Sequence, residues 1–372
     1  MAESVFTKKL LSWYHKKARD LPWRRTHDPY RIWLSEVMLQ QTQVDTVISY
    51  YERWLKKYPT LEKVAQASED EILKLWEGLG YYARARNFHK ACQKVAESHL
   101  GKVPSDPNVF STLKGVGPYT LAAVQSIAFQ NPFPAMDGNI KRIVSRLFRI
   151  DEPSSKALSH IGAFLQKNIS QKNPGDFNQA LMDIGAMICH PKNPKCFECP
   201  LSLDCEALQF KQTHVYPIPE EKNPRPHYRA AVGVVWKGNK LLISKRKSEG
   251  LLGGLWEFPG GKMKPGESAK DCVEREVKEE VGVDVEAIKS VGAIEHVYTH
   301  FSIEMEGFLC RYLKGKPQTL ECADWKWISF PELKKFAFPT ANRKLFPLLP
   351  QANPFQKNAD KKLKKGNLSE EA

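Results

Sequence analysis

The sequence predicts an all-helical domain followed by a mixed α/β domain, and three observations carry that division. Apolar residues recur with helical spacing from residue 4 to about 190. Residues 213–228, THVYPIPEEKNPRPHY, are Pro-rich and nearly free of apolar periodicity, so they read as a semi-rigid linker. Beyond them the pattern changes to short β-branched runs, AAVGVVW, KLLISKR, FSIEMEGFLC and WKWIS, around one helical stretch, AKDCVEREVKEEV. The boundaries are then a helical domain over 1–212, the linker 213–228, an α/β domain over 229–350 and a basic, disordered tail over 351–372. A chain of 372 residues suits two cores better than one.

Composition narrows the partner. Lys and Arg number 56 against 42 Asp and Glu, and the net charge of +14 favours a polyanion such as nucleic acid. No run of 18 apolar residues exists, which excludes a membrane-spanning helix. The opening MAESVFTKKLLSWYHKKARD has no uninterrupted apolar core and reads as an amphipathic helix, not a signal peptide. A cytoplasmic, nucleoid-associated monomer is the expectation.

Along the helical half, Asp28-Pro29 opens RIWLSEVMLQQ and Gly117-Pro118 opens YTLAAVQSIAF, each a cap residue followed by proline in the first helical position. Glu36 sits among Leu34, Val37, Met38 and Leu39. It is either a carboxylate on a solvated helix face or a partly buried acid that keeps its proton. Gly78 to Asn87, GLGYYARARN, supplies flexible glycines, a tyrosine pair and arginines; core packing is the plain reading of the tyrosines. In LKGVGPYT, Gly115, Val116 and Gly117 form a turn between helices whose backbone N–H groups can approach a phosphate, a helix–hairpin–helix. A bare tight turn is the alternative. Asp137, in PAMDGNIK, is placed to cap the next helix.

Four of the eight cysteines crowd together. Cys189, Cys196, Cys199 and Cys205 are spaced C-x6-C-x2-C-x5-C, and four soft sulfur donors so close suit a 4Fe-4S cluster or a zinc ion. In the second domain, Gly261 to Val283 fits G-x5-E-x7-R-E-U-x-E-E-x-G-U at every specified position. Glu276, Glu279 and Glu280 fall at i, i+3 and i+4, so one helix face offers three carboxylates to Mg²⁺, with Arg275 free to pair Glu267.

These motifs together resemble the helix–hairpin–helix superfamily of endonuclease III and the adenine DNA glycosylases. The resemblance covers about residues 5 to 345 and is strongest in 21–43, 78–90, 113–141, 189–205 and 261–283. It implies a helical glycosylase domain with an iron–sulfur loop and a Nudix (MutT-like) α/β domain. It also tips the cysteine loop towards 4Fe-4S. Asp137 then faces the sugar C1′ and stabilises the oxocarbenium-like state, and Glu36 protonates adenine N7. Bifunctional members carry lysine where this chain has Tyr119, and a phenol forms no Schiff base, so a monofunctional enzyme leaving an abasic site is implied. Tyr119 and Asn139 would line the pocket and orient Asp137, with Lys141 a weaker alternative nucleophile.

By the same resemblance Trp23, Arg24, Leu39 and Gln179 belong to the adenine pocket. Tyr81 intercalates beside 8-oxoguanine, and Gln41 fills the space of the flipped base. Tyr298, Thr299 and His300 match the Phe-Ser-His lesion-reading loop, with Thr299 keeping the hydroxyl. The substrate implied is double-stranded DNA holding adenine opposite 8-oxoguanine or guanine. The Nudix box of such enzymes is usually degraded, and here it is complete. That departure leaves open a metal-dependent nucleotide hydrolase. An endonuclease III-like pyrimidine glycosylase-lyase and a non-enzymatic damage-binding protein are further readings, opposed by Tyr119 and by the Glu36 and Asp137 pair respectively.

Overall fold

A computed structural model describes residues 3–220 and 224–355; most of the predicted tail lies outside the described residues. The helical region contains α1 (Val5–Lys17), α2 (Pro29–Leu39), α3 (Val44–Lys57), α4 (Leu61–Gln66), α5 (Glu69–Trp76), α6 (Ala83–Ser98) and α7 (Pro107–Ser111). It continues with α8 (Pro118–Phe129), α9 (Gly138–Leu147), α10 (Leu158–Asn168), α11 (Pro174–Met187) and α12 (Glu206–Gln209). The β-rich region follows as β1 (His227–Lys237), β2 (Lys240–Lys245), β3 (Trp256–Glu257), β4 (Gly260–Lys262), α13 (Ala269–Val281), β5 (Asp284–Val297), β6 (Ser302–Lys314), β7 (Asp324–Ile328) and α14 (Thr340–Leu345).

Helix starts follow the caps in the sequence. Asp28 accepts from the Tyr30 N–H ahead of Pro29, and Asp137 accepts from the Ile140 N–H. Ser68 and Glu71 close a reciprocal capping box on α5. α1, α9, α10 and α11 share one core through Leu10, Leu11, Ile143, Val144, Ile161, Leu165, Phe177, Leu181 and Ile184. α2 is buried almost throughout, from Ile32 to Met38. A helix enclosed on all sides brings even its Glu36 inside.

In the β-rich region the strand order is β3-β2-β1-β6-β5, with β4 paired to β1 and β7 to β2. β1 and β6 run parallel, and the other pairs are antiparallel. β1 feeds both faces by its alternation. Ala230, Val232, Val234 and Trp236 pack with Phe338 and Leu345, while Ala231 and Val235 pack with Val273, Val277 and Val281 of α13. Gly233 lets α13 approach, since a Cβ there would lie 3.0 Å from Val277 Cγ2.

Contacts divide the chain into two compact units. The first holds the chain up to Ala67 and from Arg84 through the rest of the helical region; the second holds Ser68–Ala83 with the β-rich remainder. The start of the Pro-rich stretch packs on the first unit: Tyr216 is buried, and its carbonyl accepts from Arg146 Nε at 2.9 Å.

Candidate active site

The first unit has a cleft of about 830 Å³ lined from three directions. The turn after α2 gives Leu39 to Gln43, the hairpin and the start of α8 give Gly115 and Gly117–Thr120, and the α9 start gives Met136–Asn139 with Arg142. Each wall follows from a local feature. Gln41, exposed, adopts φ 56° where the chain leaves α2. Gly115 adopts φ +82°, and a Cβ there would lie 2.8 Å from Asn87 Cβ, so position 115 accepts only glycine without displacement.

Gly117 caps α8 with no side-chain acceptor, and Pro118 follows, leaving a helix start whose N–H groups suit an anion. The Val116 N–H is already spent on Leu113 O at 3.1 Å. Among the three hairpin residues named from sequence, Gly115 and Gly117 line the cleft and Val116 closes the turn.

Behind the cleft wall lies Glu36, only 3 % exposed. The Tyr119 hydroxyl donates to its Oε2 at 2.7 Å. Burial pushes this carboxyl up to about 7, against the opposing pull of the Tyr119 hydrogen bond and the nearby Arg24 charge. Asp137 is also raised by burial. Its Oδ1 accepts from the Ile140 N–H at 2.7 Å and its Oδ2 from Asn139 Nδ2 at 3.0 Å, and these bonds favour the ionised form. One cleft therefore joins a carboxyl that holds a proton near neutrality to one furnished with donors for its anion.

A second layer fixes the Asp137 loop. Arg142 donates to Asn139 Oδ1 and to Gly185 O, both at 2.8 Å, and to Cys189 O at 2.8 Å. Gly185 is required for this contact, because a Cβ there would lie 2.5 Å from Asn139 Cβ. Asp183, fully buried, accepts from both Arg24 amines at 2.7 and 2.9 Å and from Arg19 Nε at 2.7 Å. Burial alone would raise its carboxyl; the two guanidiniums outweigh that and hold it below the ordinary range. Sequence reasoning missed Asp183, Arg142 and Gly185, which act across chain separations that no local pattern reports.

The adenine-pocket residues are not all gathered in the cleft. Leu39 lines it. Arg24 is held by Asp183, Trp23 is buried edge-on against Tyr51 at 5.4 Å, and Gln179 is half-buried on α11.

The four cysteines of 189–205 border the α1, α9, α10 and α11 core, with Cys189, Cys199 and Cys205 packed against it. Burial pushes Cys199 up to about 12 and raises Cys196 and Cys205, while Arg146 Nη1 donates to Cys189 Sγ at 3.2 Å. Among the described residues, no three of His, Cys, Asp and Glu gather as ligands of one metal ion. Neighbouring thiols with the Arg146 guanidinium bonded to Cys189 suit an anionic cluster.

In the second unit Tyr81 and Thr299 share a hydrogen bond between their hydroxyls. Tyr298 stacks on Phe301 at 4.6 Å and meets His296 edge-on at 4.4 Å, and Thr299 and His300 are exposed. On α13, Arg275 binds Glu267 through Nε and Nη2 at 2.7 and 2.8 Å, Glu276 at 2.6 Å and Glu279 at 2.8 Å. Glu280 is pushed up to about 8 by burial and by Glu257, and accepts from the Gly260 N–H. A Mg²⁺ ion on this face would have to displace Arg275.

No helix among the described residues is long and apolar enough to cross a membrane. Residues 34–166 match the HhH-GPD superfamily of base excision DNA repair proteins, and 231–348 match the NUDIX domain. The chain is 32% identical to an adenine DNA glycosylase of Rattus norvegicus, over 92% of this chain and 77% of that one. It is 34% identical to one of Buchnera aphidicola, over 81% and 86%. The solved thermostable thymine-DNA glycosylase matches with a TM-score of 0.51 at 31% identity, over 55% of this chain and 96% of that one. With a hairpin, a paired-carboxyl cleft and a Nudix fold in one chain, the protein belongs to the adenine DNA glycosylase family and is a DNA-binding base excision repair enzyme.

Proposed function

We propose that the protein removes adenine mispaired with 8-oxoguanine or guanine by hydrolysis alone and leaves an abasic site. The observation that carries this reading is Glu36, a buried carboxyl pushed up to about 7 and held by Tyr119 in the wall of the cleft that contains Asp137. Adenine leaves poorly until protonated, and Glu36 is an acid able to protonate N7 at neutral pH. Asp137, with donors on both oxygens, stabilises the positive sugar as the bond breaks. Tyr119 stands where a lyase would need an amine, and its hydroxyl is committed to Glu36.

The hairpin and the α8 start grip a phosphate next to the extruded nucleotide. Leu39 and Gln41 border the cleft from the α2 side, and Arg24, Trp23 and Gln179 shape the surrounding wall. Cys189, Cys196, Cys199 and Cys205 would hold a 4Fe-4S cluster, which supplies a rigid crosslink of the loop and an electron-transfer centre when bound. In the second unit, Tyr298, Thr299 and His300 read the 8-oxoguanine partner and Tyr81 wedges beside it.

The test is a duplex with one adenine opposite 8-oxoguanine, incubated with the protein and then treated with or without alkali. Strand breakage at the adenine only after alkali is the expected result. Breakage without alkali, or borohydride trapping that depends on Lys141, overturns the hydrolytic assignment, and intact strands in both lanes overturn the reading as a whole.

A second reading attaches to the Nudix unit, which contains a cavity of about 660 Å³ beside its box. Asn342, 4 % exposed, lines it, and its Nδ2 meets the Met305 thioether sulfur at 3.8 Å. An amide so placed retains donor capacity for a nucleobase. Pyrophosphate release from 8-oxo-dGTP with Mg²⁺ would support this activity, and its absence would remove it.

A further inference from the structure

Ser68–Ala83 belongs to the second unit although it lies within the helical half of the sequence. The attachment is made by polar groups at both ends of α5. At its start, Asp70 Oδ1 receives Lys245 Nζ of β2 at 2.7 Å and Trp256 Nε1 of β3 at 3.3 Å. At its end, Glu77 Oε1 accepts the Phe338 N–H at 3.0 Å, while Lys74 Nζ donates to Phe336 O at 3.0 Å and to Glu77 Oε2 at 2.7 Å. The segment so gripped is itself joined to β3, since the Trp256 N–H donates to Ala337 O at 2.8 Å. Two carboxylates thus clasp the helix to the sheet, and the Glu77 side chain is only 12 % exposed.

The clasp leads directly into a constrained turn. Gly78, Gly80 and Tyr81 have φ of 98°, 77° and 49°. The Gly78 N–H donates to the Tyr82 hydroxyl at 3.1 Å, and Trp76 Nε1 donates to Gly80 O at 3.0 Å. Tyr81 therefore occupies a left-handed conformation unfavourable for a bulky residue, held by bonds on either side. Its hydroxyl meets that of Thr299. The wedge and the lesion loop are thereby brought to one place on one unit, from positions more than two hundred residues apart in the chain.

We propose that Asp70 and Glu77 are positioning residues for partner-base discrimination: they fix Tyr81 against Thr299, so that wedge and lesion loop act as a single reader. The inference rests on the reading of Tyr81 and Thr299 given above. Loosening the clasp should slow excision opposite 8-oxoguanine more than excision opposite guanine, because only the former uses the full set of contacts to the damaged base.

The test compares single-turnover adenine excision from the two duplexes by the full-length protein, with the ratio of rates as readout. Asp70→Lys and Glu77→Leu should each lower the ratio by about tenfold, the scale of one well-placed polar contact. Asp70→Lys combined with Lys245→Asp should restore much of it, a recovery that a general folding defect would not show. Asp70→Asn, which keeps an acceptor for Trp256, should fall between. Equal loss on both duplexes, or an unchanged ratio, overturns the proposal.

Thr299→Ala separates the inference from the reading beneath it. If Thr299→Ala lowers the ratio and the clasp variants do not, the clasp fails alone. If the clasp variants lower it and Thr299→Ala does not, the pairing of Tyr81 with Thr299 fails as a single reader, and the lesion-loop assignment fails with it. If neither lowers it, both fail.

Discussion

Glu36 beside the cleft of the first unit and Glu267 just ahead of helix α13 in the second are both carboxyls with a bonded partner, yet they are left in opposite electrical states. Glu36 sits inside a helix buried almost throughout, takes its hydrogen bond from a phenol with the Arg24 charge nearby, and is pushed up to about 7. Glu267 is half-buried in the second unit, where its hydrogen bonds from Arg275 hold it down to about 2. The residue type is the same and the surroundings decide whether it is an acid or an anion. A carboxyl keeps its proton where burial outweighs the pull of its donor and of a nearby cation. The ion-pair network around Arg275 supplies a bonded counter-ion and keeps Glu267 an anion, whereas Glu280 on the same helix face is pushed up to about 8 by burial and by Glu257.

The largest effects are expected at the cleft. Asp137→Asn and Glu36→Gln should each reduce adenine excision by about 10³-fold while leaving DNA binding in place, as single-turnover rates and gel shifts would show. A loss below about tenfold for Glu36→Gln would mean that another group protonates the base.

Asp183 sharpens the rule, since it is buried like Glu36 but faces two arginines and stays ionised. Removing it strands both cations. Asp183→Ala should destabilise the first unit by about 3–5 kcal/mol in denaturant unfolding, the cost of leaving a buried charge unpaired.

The proton on Glu36 has its own stability consequence. A carboxyl whose folded pKa lies above its ordinary value of 4.5 binds its proton more tightly when folded, so stability is lost as pH rises from that value through about 7. At pH 8 the cost is about 3 kcal/mol, and Glu36→Gln, which still accepts from Tyr119, should recover most of it. At pH 4 the two proteins should melt together. Excision by the unmodified enzyme should fall on the alkaline side of about 7 and again at low pH, where Asp137 takes up its proton.

The smallest effect belongs to α13. Glu279→Gln removes one exposed partner of Arg275, which keeps Glu267 and Glu276, so adenine excision should stay within about twofold of the parent. A larger change would give the Nudix face a part in the glycosylase reaction.

Most of what the sequence revealed was local. The caps at Asp28 and Asp137, the hairpin turn and the α13 carboxylates each depend on residues within a few positions of one another, and the structure contains those elements. Glu36 was ambiguous because burial is decided by what surrounds α2, not by its own spacing. The Asp183 clasp, the bonds from Arg142 to Gly185 and Cys189, and the Gly185 contact join parts of the chain some 40 or more residues apart, and charge or size alone did not single them out. The grouping of Ser68–Ala83 with the β-rich unit was hidden for the same reason: Asp70 and Glu77 read as ordinary charges on a short amphipathic helix until Lys245 and Phe338 face them.

Gly185 has a consequence beyond packing. The space between it and Asn139 is smaller than one methyl group, and Asn139 is the residue that orients Asp137. Gly185→Ala is therefore an error of one carbon whose first clash is with Asn139, the donor to Asp137, while the helix that carries it gains propensity. Excision should therefore fall in this variant, with an overpacking cost of about 1–3 kcal/mol to the first unit, as single-turnover rates beside denaturant unfolding would show.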